Sequence, residues 1–74
     1  MMKTIELNNM QDAACLNEIA CRCSEEAWVH GESVMVDAKS LLGLLSLIGK
    51  PHLKFVVADD EQGQHALQLV KKAL

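Results

Sequence analysis

Aromatic residues are nearly absent from this chain: Trp28 and Phe55 stand alone, and there is no tyrosine. With half of its 74 residues hydrophobic, a core built from it must be mainly aliphatic. An excess of basic residues is also missing. Seven Lys and Arg against ten Asp and Glu give a net charge of −3, which speaks against non-specific nucleic-acid binding, since that needs clustered cations facing phosphate. No apolar run approaches the roughly 20 residues that span a bilayer. Met1–Leu7 has no long apolar stretch, so no secretory signal is expected and the cytoplasm is the expected compartment. Cysteine is sparse and odd in number. Cys15, Cys21 and Cys23 share one segment, whereas a secreted disulfide scaffold would spread an even number along the chain.

The length admits one domain, residues 1–74. Residues 2–7 alternate loosely as a first strand, with Ile5 and Leu7 on one face. Asn9 is suited to cap a helix over 10–23, with Asp12 adding negative charge to its first turn and Ala13, Leu16, Ala20 and Cys23 forming the apolar stripe. Residues 26–30 and 33–37 flank Gly31-Glu32. Glycine at the first central position predicts a type II′ hairpin that pairs Val29 with Val34 and Trp28 with Met35. Ser40 then precedes Leu-Leu-Gly-Leu-Leu-Ser-Leu-Ile, a helix over 40–48 closed by Gly49 and Pro51. Residues 53–58 read as a last strand. Asp59-Asp60-Glu61 opens a final helix whose acidic start and Lys71-Lys72 end both suit the helix dipole. The order β-α-β-β-α-β-α predicts an α+β fold, an open-faced two-layer sandwich with a four-stranded antiparallel sheet and helices on one face.

Residues Val36-Asp37-Ala38-Lys39-Ser40-Leu41-Leu42-Gly43-Leu44-Leu45-Ser46-Leu47 resemble the HPr signature, which typically reads Val-Asn-Ala-Lys-Ser, two apolar residues, Gly, Leu, an apolar residue, Ser and Leu. Ala58-Asp59, Glu61 and Ala66-Leu67 are similar to the last strand and helix of that family. HPr is a phosphocarrier of the sugar phosphotransferase system. A histidine at the start of its first helix takes phosphate from enzyme I, with imidazole as nucleophile and free helix N–H groups around the anion. The family pattern there is His, any residue, Arg, Pro, Ala, Ala. Counting back from Ser40 places Asn9 at the histidine, Gln11 at the arginine and Asp12 at the proline, with Ala13-Ala14 matching the alanines; no histidine precedes His30. An amide nitrogen is not a nucleophile toward phosphate. The resemblance therefore implies a non-enzymatic HPr-like protein without histidine phosphotransfer, working through protein contacts. The alternatives are a phosphocarrier using a residue such as His30, or an adaptor reusing the fold.

Ser40 is expected to cap its helix, and the resemblance also makes it a candidate for regulatory phosphorylation. Leu41, Leu42 and Leu45 are expected either in the core or, as the resemblance implies, on an exposed docking face. The partners implied are phosphotransferase-system or transcription-regulator proteins. No cofactor is implied, and no metal site either: on a helix, Cys21 and Cys23 point about 200° apart. The hairpin register puts Trp28 and Met35 on the outer sheet face, and the resemblance implies that Phe55 and Val57 join them there, which would favour a homodimer; the opposite parity would send Leu53, Phe55 and Val57 into the core.

Overall fold

Short polar side chains set where the helices begin. In the computed structural model, which describes residues 1–74, Asn9 has extended backbone and its side-chain oxygen accepts a hydrogen bond from the Asp12 N–H at 2.9 Å, opening helix α1 (Met10–Cys21). Ser40 accepts from the Gly43 N–H at 3.3 Å and opens α2 (Leu41–Leu45). Asp60 accepts from the Gly63 N–H at 2.8 Å and opens α3 (Glu61–Ala73). Each cap satisfies one of the N–H groups that a helix start leaves without a partner. The strands are β1 (Met2–Ile5), β2 (Ala27–His30), β3 (Met35–Asp37) and β4 (Leu53–Val57). Chain order is the expected one, and no helix is long and apolar enough to cross a membrane.

The sheet runs β1-β4-β2-β3 with every pair antiparallel. One face is closed by the helices. Ile5, Val29, Leu53 and Phe55 from the sheet meet Leu16 and Ile19 of α1, Leu44 of α2, Leu47 just beyond it, and Ala66 and Val70 of α3, all buried. Leu7 lies beyond the end of β1 yet is also buried. The other face carries no helix, and Met2, Lys54 and Met35 stand exposed on it. This is the open-faced two-layer α+β sandwich.

Helix α2 is shorter than expected. It stops at Leu45, and Leu47 N–H turns back to the Leu44 carbonyl at 3.0 Å in a tighter, i→i+3 arrangement. Gly49 then takes φ +82°, the left-handed conformation that ends helices cheaply only at glycine, and its N–H bonds to the Leu7 carbonyl at 2.8 Å. Likewise α1 ends at Cys21 with Arg22 as its cap, so Cys23 lies outside the helix.

Two expectations about side-chain placement are corrected. The hairpin pairs Val29 with Val36, His30 with Met35 and Trp28 with Asp37, and Gly31 N–H bonds to the Val34 carbonyl at 2.8 Å. The turn is therefore centred on Glu32-Ser33, one residue later than expected, and Gly31 does not adopt positive φ. Because the pairing moves by two, Val29 and Val36 still share the helix-side face. In β4 the expected parity is reversed. Phe55 and Val57 are 0% and 5% exposed and face the helices with Leu53, while Lys54 and Val56 face outward. The loop before β4 explains this. Two left-handed residues, Gly49 and His52 (φ 60°), turn the chain back within a few positions, and Leu53 enters the sheet opposite Ile5 on the core side.

Candidate functional site

The residues singled out by sequence lie at the starts of α1 and α2. At the α1 start Asn9 and Asp12 tie down the first turn with two hydrogen bonds. The Asn9 side chain accepts from the Asp12 N–H at 2.9 Å, and the Asp12 carboxylate accepts from the Asn8 N–H, also at 2.9 Å. The first turn thus holds its own anion where the helix dipole favours one. Gln11 is exposed beside it, as is Met10. No histidine lies on α1 or α2. His30 is on the outer face of β2, His52 in the loop before β4 sits 3.6 Å from Glu32, and His65 is on α3.

The α2 start is built differently. Asp37 holds the turn before it, its backbone carbonyl accepting from Ser40 N–H and its carboxylate from Lys39 N–H, each at 2.9 Å. Ser40 is exposed and caps α2, whose first turn contains no acidic residue. Leu42 is 81% exposed and Leu41 42%, so neither belongs to the core. Leu45 is half-buried and packs against the core, offering only part of its side chain to a partner. Gly43 lies tightly over β3: a Cβ there would run into the Val36 side chain.

Three contacts orient the two helices. Asn17 Nδ2 donates to the Ala38 carbonyl at 3.2 Å and Cys21 Sγ lies 4.0 Å from the Lys39 carbonyl, so the α2 start is held against the middle and end of α1. The Gly49–Leu7 hydrogen bond brings the far end of α2 to the segment that leads into α1. Asn9 and Ser40 therefore lie at opposite ends of an antiparallel helix pair, and α2 runs from one toward the other. The Asn17 clamp was not readable beforehand, since an amide at a half-buried helix position has no sequence signature.

A cavity between α1 and α3 is lined by Cys23, Glu61 and His65, but the Cys23 thiol is directed to the Ile19 carbonyl at 3.8 Å. All three cysteines are free, and no three His, Cys, Asp or Glu side chains come together in a way that would hold a metal ion.

No protein-family model matches the chain, and no curated protein matches it. Solved structures do. HPr-C-His from Thermoanaerobacter tengcongensis superposes with a TM-score of 0.75 at 25% identity, covering 97% of this chain and 88% of that one. A phosphocarrier protein HPr from Bacillus anthracis str. Ames gives 0.72 at 21% identity, covering 100% and 96%. The histidine-containing phosphocarrier protein of Mycoplasma gives 0.76 at 15% identity, covering 99% and 90%.

Proposed function

The chain is HPr-like, with the phosphocarrier fold, and we propose that it does not carry phosphate on a histidine but acts as a cytoplasmic regulatory or protein-interaction module related to the sugar phosphotransferase system. The carrying observation is the α1 start. Asn9 stands at the helix cap with its oxygen committed to the Asp12 N–H, and the Asp12 carboxylate occupies the positive end of the helix. A phosphoryl donor approaching there meets no imidazole and a fixed negative charge. The direct test is incubation with enzyme I and labelled phosphoenolpyruvate. No acid-labile label is expected on the chain; label on His30 or His52 would sink the reading. Asn9→His with Gln11→Arg and Asp12→Pro is expected to gain acceptance, since it supplies the nucleophile and removes the repelling carboxylate together.

The interaction surface in this reading is α2. Leu41, Leu42 and the outer part of Leu45 form the contact strip, and Ser40 beside them is the candidate for regulatory phosphorylation. The partners are phosphotransferase-system or transcription-regulator proteins. An exposed leucine on an ordered helix supplies apolar area that only a partner can bury. Leu42→Glu is expected to leave the domain folded and to abolish binding to such a partner; an unchanged affinity would move the surface elsewhere.

A further inference from the structure

On the reading of α2 as the contact surface, we infer that Asn17 is a positioning residue: its amide sets the Leu41-Leu42 strip against α1 by holding the Ala38 carbonyl. Helix α2 needs such a support. It spans five residues and buries only Leu44 within that span, so its own hydrogen bonds are too few to order it. Its place is dictated from its two ends. At the far end the Gly49 N–H bonds to the Leu7 carbonyl at 2.8 Å. At the near end the chain leaves β3 through Ala38, Lys39 and Ser40.

Asp37 makes that turn rigid, its carboxylate accepting from the Lys39 N–H and its carbonyl from the Ser40 N–H, each at 2.9 Å. Both bonds fix the turn on β3, and neither reaches α1. Ala38 supplies the link between the layers. It is fully buried, and its N–H donates to the Ala27 carbonyl of β2 at 2.9 Å. A carbonyl on so buried a residue needs a donor of its own. Asn17 Nδ2 is that donor, at 3.2 Å. One turn further along the same face of α1, Cys21 Sγ comes within 4.0 Å of the Lys39 carbonyl, the reach of a weak thiol donor. The amide is therefore the strong directional tie between α1 and the turn that leads to Ser40. The burial of Leu44 and Leu47 holds α2 down on the sheet, but apolar contact carries no direction. A strip oriented before its partner arrives loses less freedom on binding.

Backbone amide relaxation of the full chain, measured by NMR, tests this. Asn17→Asp keeps the shape and removes the donor; Asn17→Leu removes the donor without adding charge. Asn17 is half-buried, so both variants are expected to fold. In both, order parameters over 40–45 are expected to fall from the roughly 0.85 of rigid backbone toward the about 0.6 of flexible segments, while those of α1 hold. Leu69→Ala on α3, half-buried beside Ile19, is the control: it destabilises the domain and leaves α2 as ordered as in the wild type. Unchanged order over 40–45 in Asn17→Leu overturns the role. A loss confined to Asn17→Asp assigns the effect to the added charge and overturns it as well. So does an equal loss in Leu69→Ala, or an Asn17 variant that unfolds outright, since either makes Asn17 a general stabiliser. The measurement uses no partner, so its failure is distinct from the failure of the α2 surface, which Leu42→Glu with unchanged binding would show.

Discussion

Helices α1 and α2 both open on a capped N-terminus, yet the two ends are chemically opposite. The α1 end is closed on itself: Asn9 caps, and the Asp12 carboxylate neutralises the dipole and bonds to the Asn8 N–H. The α2 end is open: a neutral serine caps, no acid follows in the first turn, and Leu41 and Leu42 project from it. A helix start that already contains an anion has little to offer another; one capped by a hydroxyl can still gain from negative charge. The fold provides two equivalent starting points, and the sequence has committed only one of them.

The largest effect expected separates leucines three positions or fewer apart. Leu44 is fully buried against the sheet, whereas Leu42 is 81% exposed. Leu44→Ala is expected to cost about 2–5 kcal/mol, as large-to-small changes in a packed core do. Leu42→Glu is expected to change stability by less than about 0.5 kcal/mol. Urea unfolding of both variants measures the contrast. A Leu42→Glu protein as damaged as Leu44→Ala would put the strip in the core and remove the difference between the two helix ends.

Truncating the caps comes next. Asn9→Ala and Ser40→Ala are each expected to cost about 1 kcal/mol. The local consequences differ because α1 is anchored by Ala13, Leu16, Ile19 and Ala20, whereas α2 buries only Leu44 within its helical span. Amide exchange over 41–45 is therefore expected to quicken more in Ser40→Ala than exchange over 10–21 does in Asn9→Ala. Equal responses would mean that the two ends are held alike.

Both caps were legible in the sequence, as was the element order, because Asn, Ser and Asp precede apolar stripes of helical period. The turn was not. Gly31 carries a strong hairpin signal, but the chain uses it in an ordinary conformation and reverses one residue later. The parity of β4 had a local signal that the resemblance overrode. In Leu53-Lys54-Phe55 the charged residue sits between two large apolar ones, and that alternation places Lys54 outside. The outer row of Met2, Val56 and Trp28 depends on pairing across three strands, which no single segment encodes. Likewise the self-closure of the α1 start needs the Asn8 N–H aimed at Asp12, a detail of backbone path rather than of residue type.

The smallest effect is the sharpest test of the comparison, because it predicts opposite signs. Asp12→Asn removes the charge from the α1 start while keeping an oxygen able to accept from Asn8 N–H. It is expected to destabilise by about 0.3–1 kcal/mol, the usual worth of a carboxylate in a first turn. Ser40→Asp retains a good cap at α2 and adds a charge where none exists. It is expected to stabilise by a similar or smaller amount, toward the lower bound because α2 spans five residues and its dipole is correspondingly weak. Phosphate on Ser40 carries nearly twice the charge of aspartate and acts in the same direction. Both differences should shrink together as salt is raised, since both charges are solvent-accessible. Paired unfolding curves at low and high salt read this directly. If Ser40→Asp destabilises at low salt, the existing charge of Asp37 outweighs the α2 dipole, and the second helix start is no more open to an anion than the first.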